Sequence, residues 1–295
     1  MKNDTWIKGK MCMITGANAG IGKETTRKIA ALGAHILMVC RNPEKGEKVR
    51  EEIIQETKNQ NIDLLICDLS SLREVKHFSE EFLKNYSDLH VLINNAGVFR
   101  MKREVTEDRY EVTFAVNYLA HFYLTKLLLP ILKKSSPSRI VNLSSDMHKF
   151  FKIKLKDPLL EKRYSGQQAY SNSKTAMILF TNKLVRELEG TDVSVFAVNP
   201  GHVKTQLTTE GLPKWFRAIS ELIPNRRTPA IGAESSVYAA TSTNLEGLTG
   251  LYLSDCKESK TAKITKDILN QDYLWDLSEL LVSRALKKKI NKDSS

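Results

Sequence analysis

The chain has 295 residues, a formal net charge of +11, and 41% hydrophobic and 27% charged residues, a composition ordinary for a globular protein. No run approaches the roughly 18 apolar positions of a membrane span, and the N-terminus lacks a signal peptide's apolar core, so we expect no transmembrane anchor. Five Lys or Arg residues lie in the basic tail, residues 284–295; elsewhere no dense basic stripe occurs, so we expect no nucleic acid as a partner.

The four cysteines indicate buried thiols and not a metal site. Cys12, Cys40 and Cys67 lie in or at the end of apolar, strand-like runs, and no Cys-x-x-Cys spacing links any of them to Cys256. We therefore predict no bound metal and a reducing, cytoplasmic location.

A glycine-rich turn follows the first predicted strand, residues 11–15, and precedes a helix predicted over residues 23–32. This order of strand, glycine turn and helix indicates a dinucleotide site. Gly16 permits the tight turn, Gly20 lets the backbone approach a pyrophosphate, and Gly22 lets helix and strand pack closely. The phosphates would bind at the helix N-terminus, where free N–H groups favour anions. The alternative is a glycine turn without a ligand.

The residue after the second predicted strand, residues 35–40, bears on cofactor choice. A NAD-binding fold usually carries Asp or Glu there, whereas an arginine accommodates a 2′-phosphate. Arg41 follows Cys40, and no carboxylate comes before Glu44, so the sequence favours NADP(H). The alternative is that Arg41 is a plain surface charge.

The next two strands also end in residues suited to a ligand. Asp68 follows the third predicted strand, residues 61–67, and would bind the adenine amino group or cap the helix predicted over residues 72–85. The fourth strand, residues 89–93, leads into Asn94-Asn95-Ala96-Gly97, small residues that allow backbone close to a ligand.

A long helix predicted over residues 106–132 carries Asn117 among apolar side chains, where a buried amide needs a hydrogen-bond partner. A fifth strand, residues 138–145, ends in two serines and is followed by a connection over residues 146–169. Met147, Phe150 and Phe151 near its start would form one wall of a substrate pocket.

Tyr170 and Lys174 are four residues apart in a helix predicted over residues 170–188, and they therefore lie on one face of it. A free tyrosine has a pKa near ~10, and a lysine ammonium ~4 Å away would lower that pKa toward neutral. The pair would then be a proton donor suited to acid–base catalysis. The alternative is a solvated helix face, because the spacing alone is weak.

The last third of the chain contains predicted strands over residues 193–198 and 250–253, a helix from about residue 232, and a closing helix over residues 270–286. Residues 206–229 would form a long loop around a short helix. Its apolar stripe comprises Trp215, Phe216, Ile219, Leu222 and Ile223. The stripe would be a lid over an apolar substrate or a helix packed on its own core.

The alternation of strands and helices predicts an α/β fold with a single Rossmann-type, doubly wound domain over residues 1–295. We expect a seven-stranded parallel sheet with helices on both faces, because parallel strands are normally covered on both sides. No internal repeat or domain boundary interrupts this pattern.

Jointly, these motifs resemble those of the short-chain dehydrogenase/reductase family, in the family's order, over residues 10–255. They are Thr15-Gly16-Ala17-Asn18-Ala19-Gly20-Ile21-Gly22, Asn94-Asn95-Ala96-Gly97, Asn117, Ser145, Tyr170-x-x-x-Lys174 and Pro200-Gly201. The retinol dehydrogenase-like subgroup is the most similar. That closer match lies in Val39-Cys40-Arg41-Asn42, Glu161-Lys162-Arg163-Tyr164-Ser165 and Leu251-Tyr252-Leu253-Ser254-Asp255-Cys256-Lys257-Glu258.

The resemblance implies a catalytic set of four residues. Tyr170 would exchange a proton with the substrate oxygen, and Ser145, three residues past Asn142 as in the family pattern, would hydrogen-bond that oxygen. Lys174 would hold the nicotinamide ribose and favour the phenolate, while Asn117 would position a water linking Lys174 to solvent. The implied cofactor-binding residues are Gly16, Asn18, Gly20, Ile21, Gly22, Arg41, Asp68, Leu69, Asn95, Ala96, Gly97, Tyr170, Lys174, Pro200, Gly201, Val203 and Thr205.

We expect a cytoplasmic NADP(H)-dependent oxidoreductase that acts on a small lipophilic carbonyl compound or the corresponding alcohol. The alternative is a non-catalytic NADP(H)-binding regulator, which needs the pocket but not Tyr170. A homodimer is compatible with the sequence.

Overall fold

The computed structural model describes residues 5–201, 203 and 227–287. Its single sheet has the strand order β3-β2-β1-β4-β5-β6-β7-β8, in which the first seven strands are parallel and β8 is antiparallel to β7. The strands are β1 (Met11–Thr15), β2 (His35–Cys40), β3 (Ile62–Ile66), β4 (Val91–Asn94), β5 (Ser138–Leu143), β6 (Val193–Asn199), β7 (Tyr252–Ser254) and β8 (Lys257–Glu258). The predicted seven-stranded parallel sheet is confirmed, and the two-residue β8 is an addition.

Helices cover both faces of the sheet, as predicted. They are α1 (Gly20–Ala31), α2 (Pro43–Thr57), α3 (Leu72–Asn85), α4 (Val112–Lys134), α5 (Gly166–Glu187), α6 (Pro229–Gly232), α7 (Glu234–Thr241) and α8 (Ile268–Lys287). One face carries α1, α2, α6 and α7, and the other carries α3, α4, α5 and α8. Alternate residues of β1 point to opposite faces: Met13 joins one apolar core, and Cys12 and Ile14 join the other.

Several helices begin at residues other than those predicted, and the largest differences are in α4 and α5. The helix α4 begins at Val112 and not at residue 106, because Arg109 has a φ of +67° and the Glu111 carboxylate accepts the N–H groups of Thr113 and Phe114. The helix α5 begins at Gly166, capped by the Ser165 side chain, so Tyr170 lies inside the helix and not at its start.

By length and composition alone, α4 would pass as a membrane-spanning helix, which the sequence analysis did not anticipate. In the structure, 72% of its apolar window is buried inside the protein. A core helix passes the same test of length and composition.

A ladder of buried amides joins the strand ends to the helices behind them. Asn94 at the end of β4 donates to Asn142 Oδ1 at 2.8 Å and to Thr125 Oγ1 of α4 at 2.9 Å. Asn142 donates in turn to Thr181 Oγ1 of α5 at 2.9 Å. Both asparagines are at most 1% exposed. The ladder therefore fixes β4, β5, α4 and α5 relative to one another.

We expect Asn142→Ala to lower the free energy of unfolding by about 2–3 kcal/mol, because it removes two buried hydrogen bonds and leaves donor and acceptor groups unpaired. Urea unfolding measures this value. The matched control is Asn85→Ala, which removes an exposed bond from Asn85 Nδ2 to Glu81 O and should cost less than about 0.5 kcal/mol. Equal losses for the two variants would show that the ladder does not stabilise the fold.

Candidate active site

Tyr170, Lys174 and Ser145 lie together where β5 ends against α5. Lys174 is 3% exposed, and its ammonium donates to Leu143 O at 2.9 Å. The same ammonium lies 5.5 Å from the centroid of the Tyr170 ring. The four-residue spacing thus places both side chains on the face of α5 that meets the end of β5.

Burial dominates the titration of this pair. It raises the pKa of Tyr170 to about 12, an effect that the nearby Ser145 hydroxyl partly offsets by hydrogen bonding. Burial also lowers the pKa of Lys174 to about 8. The structure therefore does not show the lowered tyrosine pKa that the spacing predicts. At neutral pH, Tyr170 holds its proton and is able to donate it.

The two serines after β5 have different surroundings. Ser145 is partly exposed and caps the 3-10 helix Asp146–Lys149, where its hydroxyl oxygen accepts the Met147 N–H at 3.3 Å. Because that bond uses a lone pair, the hydroxyl proton stays free for another acceptor. Ser144 is 1% exposed and donates to Lys174 O at 2.8 Å, away from Tyr170.

Asn117 lies in a π-helical turn of α4, Ala115–Leu119. Its side chain accepts the Val98 N–H at 2.7 Å, donates to Val98 O at 3.0 Å and donates to Ser173 Oγ at 3.2 Å. Ser173 Oγ donates in turn to Tyr170 O at 2.7 Å. Asn117 therefore links the segment after β4 to the helical turn that carries Tyr170.

The sequence analysis missed three residues around this centre. Thr15 Oγ1 accepts the N–H groups of Asn95 and Ala96, each at 2.9 Å, and bonds to His121 Nε2 at 2.9 Å. Burial lowers the pKa of His121 to about 4, so this imidazole is neutral. His121 follows Asn117 by four residues in the same predicted helix, a spacing that could have identified it as a neighbour of the site. The third residue, Phe99, lies edge-on to the Tyr170 ring at 5.8 Å, and no local pattern marks it.

The glycine-rich turn leaves no room for side chains. A Cβ on Gly22 would lie 2.1 Å from Gly16 O, and one on Gly16 would lie 2.9 Å from Ala96 Cα. Gly16 and Gly20 also have positive φ values of +66° and +53°. The backbone of β1, the turn and the segment after β4 therefore forms a tight cradle. On the same segment, a Cβ on Gly97 would lie 3.3 Å from Asn117 Oδ1.

The N-terminus of α1 fits an anionic ligand. Its N-cap residue, Ala19, provides no side-chain hydrogen bond, and the first turn holds no acidic residue. The helices α2 and α3, by contrast, are capped by the side chains of Asn42 and Ser71. The unfilled N–H groups of α1, which include Ile21, together with the cradle, suit the pyrophosphate of a dinucleotide.

The end of β2 matches the prediction for a 2′-phosphate. Arg41 is exposed and forms no ion pair with any residue that the structure describes, so its guanidinium is available. The preceding Cys40 is buried beneath the glycine-rich turn. Burial raises the pKa of its thiol to about 11, and the backbone N–H groups of Ala17 and Asn18 partly offset that rise.

Asp68 does not cap α3, so that alternative is wrong. Its carboxylate accepts the Ser70 N–H at 2.9 Å, whereas the cap of α3 is Ser71. Asp68 is half-buried at the C-terminal end of β3, on the same sheet edge as the glycine-rich turn, and Leu69 beside it is buried. Both remain candidates for contact with an adenine ring.

The turn after β6 approaches the glycine-rich turn. Gly201 follows Pro200 with a φ of +75°, and Val203 forms a parallel bridge with Arg227. A Cβ on Gly232 would lie 2.5 Å from Val203 Cγ2 and 3.4 Å from Ile21 Cγ1, which places these two side chains close together. Thr205, the apolar stripe within residues 206–226 and tail residues 288–295 lie outside the described residues.

Known proteins resemble this chain in both sequence and fold. A family model described as short chain dehydrogenase matches residues 10–214. Retinol dehydrogenase 12 of Mus musculus is 42% identical over 278 residues, which cover 93% of this chain and 87% of that protein. An uncharacterized protein from Mycobacterium Paratuberculosis has a TM-score of 0.77 at 30% identity, with 94% of each chain covered. A chain from Escherichia coli CFT073, assigned as a short chain dehydrogenase and complexed with NADPH, has a TM-score of 0.68 at 25% identity, covering 86% of this chain and 99% of that chain.

Proposed function

The chain belongs to the short-chain dehydrogenase family, and we propose that it is an NADP(H)-dependent oxidoreductase for apolar aldehydes or ketones and the corresponding alcohols, with Tyr170 as general acid and base. The similarity to retinol dehydrogenase-like members, expected from the motifs, is confirmed at about 40% identity. The observation that carries the proposal is the cluster of buried Lys174 with half-buried Tyr170 and Ser145 at the strand ends, beside a cradle suited to a dinucleotide.

Each residue of the cluster has a task in this mechanism. The nicotinamide, when bound, supplies or accepts the hydride. In carbonyl reduction, Tyr170 gives its proton to the substrate oxygen while Ser145 donates a hydrogen bond to the same atom. The phenolate that remains lies beside the Lys174 ammonium, which stabilises it strongly because the ammonium is buried away from water. Alcohol oxidation runs the same steps in reverse.

We expect Tyr170→Phe to lower kcat for carbonyl reduction by at least the ~10²–10⁴ typical of lost acid–base catalysis. The substitution keeps the ring, so NADPH binding measured by fluorescence titration should change little. Tyr86→Phe is the control, since it removes a hydroxyl bonded to Asp63 in the edge strand β3. A Tyr170→Phe enzyme that keeps a tenth of the parent activity would exclude Tyr170 as the acid.

The preference for NADP(H) is supported by the available guanidinium of Arg41 and by the absence of a carboxylate at position 40. The similar structure solved with NADPH agrees with this choice.

We expect Arg41→Ala to raise KM for NADPH with little effect on KM for NADH, because charge-assisted bonds to phosphate are strong. The pair Cys40→Asp with Arg41→Ala should prefer NADH. The measurement is the ratio of kcat/KM for NADPH to kcat/KM for NADH. If Arg41→Ala leaves this ratio unchanged and Lys45→Ala abolishes the preference for NADPH, Lys45 recognises the phosphate.

The apolar substrate class is supported by side chains near the cluster. Phe99 packs edge-on against Tyr170, and Phe150, just beyond the turn that carries Ser145, is 70% exposed.

We expect kcat/KM to rise along a series of aliphatic aldehydes, by up to about fourfold for each buried methylene. Phe99→Ala should flatten the rise, while Phe99→Leu should preserve it. A parent enzyme that prefers short or polar aldehydes would contradict the apolar pocket.

The alternative function, a non-catalytic NADP(H)-binding regulator, would bind the cofactor without turnover. A regulator has no need of a lysine ammonium buried beside a tyrosine, which is costly in free energy.

We also propose a cytoplasmic location, which the free thiols of all four cysteines support.

A further inference from the structure

The turn that follows Ser145 is held from three directions. From α5, Ser171 Oγ donates to Met147 O at 3.0 Å. From within the turn, His148 Nδ1 lies 2.6 Å from Ser145 O. From β7, two strands away from β5, the Tyr252 hydroxyl donates to Asp146 Oδ1 at 3.1 Å. The proposed catalytic serine is thus fastened to two other parts of the fold.

His148 is a buried donor to the backbone of the serine. It is 2% exposed, and a carbonyl oxygen only accepts hydrogen bonds, so its Nδ1 must carry a proton. Burial lowers its pKa, which leaves the imidazole neutral with a lone pair on Nε2. Among the residues that the structure describes, that buried nitrogen has no hydrogen-bond partner, so the bond to Ser145 O and ring packing hold the imidazole.

Tyr252 supplies both the ring packing and a second bond. Its ring lies edge-on to the His148 ring, with centroids 5.2 Å apart. Burial raises its pKa, so the phenol stays protonated and is the donor to Asp146. Asp146 also pairs with Lys149 at 2.6 Å, which holds the carboxylate in place. Tyr252 is 4% exposed and makes all these contacts from a strand outside the proposed catalytic cluster.

We propose that Tyr252 and His148 are positioning residues for Ser145 that keep its hydroxyl directed at the proton-donating tyrosine and the substrate oxygen. They act through the backbone of the turn: while the turn is held, the Met147 N–H occupies one lone pair of Ser145 Oγ and the hydroxyl proton is left for another acceptor. This role rests on the proposed function and adds to it two residues that do not touch the reacting atoms.

Coupling to Ser145 and rescue by a conservative variant distinguish this role from general support of the fold. Two groups next to Tyr170 are Lys174 on α5, whose ammonium lies 5.5 Å from the ring centroid, and Ser145 on the turn. The Ser145 hydroxyl offsets part of the burial that raises the Tyr170 pKa. If the turn loosens, Ser145 no longer holds its hydrogen bond to Tyr170 or to the substrate oxygen. Carbonyl reduction should then become slower, and it should recover when a hydrogen-bond donor is restored at position 148.

The test is a double-mutant cycle between Tyr252→Phe and Ser145→Ala, measured as kcat with an apolar aldehyde and NADPH. We expect Tyr252→Phe to lower kcat by about 10-fold, the effect of one lost hydrogen bond, with KM for NADPH unchanged. In the Ser145→Ala background it should have no further effect. His148→Leu should behave like Tyr252→Phe, whereas His148→Asn should restore activity because its amide keeps a donor near the Nδ1 position.

Each other outcome has a defined meaning. Tyr86→Phe removes an equivalent tyrosine–aspartate bond far from the turn and should leave kcat unchanged. Equal losses from Tyr252→Phe in both backgrounds, or equal losses from His148→Leu and His148→Asn, would overturn the positioning role. If Tyr252→Phe lowers Tm enough to prevent the assay, the two His148 variants decide the question. A parent protein that turns over no carbonyl compound overturns the proposed function itself.

Discussion

The site depends on one costly interaction, the burial of the Lys174 ammonium beside the Tyr170 ring. A charge removed from water loses hydration, which is why the pKa of Lys174 falls to about 8. The hydrogen bond from the ammonium to Leu143 O offsets part of that loss. A negative charge that forms next to the ammonium interacts with it far more strongly than it would in water. Proton transfer from Tyr170 creates such a charge on its phenolate. Burial therefore disfavours the ammonium in the resting enzyme but stabilises the phenolate that the proposed step produces.

The surrounding fold keeps this arrangement in place with hydrogen bonds between elements. Asn117 joins the segment after β4 to α5 through Val98 and Ser173, and Thr15 joins the end of β1 to the same segment. Thr15 ends β1 and Val98 follows β4, on the C-terminal side of the parallel strands, where ligands bind in open sheets of this kind. The cofactor cradle and the proton donor therefore share one set of supports, and a shift in one would move the other.

Much of the fold follows from local patterns. The helix α3 has the bounds predicted for it, because Ser71 provides a side-chain cap at the start of an amphipathic run. The order of strand, glycine turn and helix located the cradle, since φ values above zero and close packing leave few alternatives to glycine. The start of α5 was placed at Tyr170 because Ser165 and Gly166 resemble an ordinary loop until the cap bond is seen.

Contacts between distant parts of the chain could not be predicted in this way. The bonds from Thr15 to His121 and from Asp146 to Tyr252 each join residues 106 positions apart, and no periodicity records such a pairing. The position of Phe99 against Tyr170 likewise depends on how two elements meet. The local motifs indicated which residues are candidates, whereas the titration of Tyr170 depends on burial that only the assembled fold reveals.

The most direct measurement is the fate of deuterium from NADPH labelled at the transferable C4 position, followed by mass spectrometry of the alcohol formed from a medium-chain aldehyde. The account predicts one deuterium on the former carbonyl carbon for each NADPH oxidised, and none above background with Tyr170→Phe. Tight NADPH binding without deuterium transfer to any aldehyde or ketone would contradict it and would identify the protein as a cofactor-binding regulator.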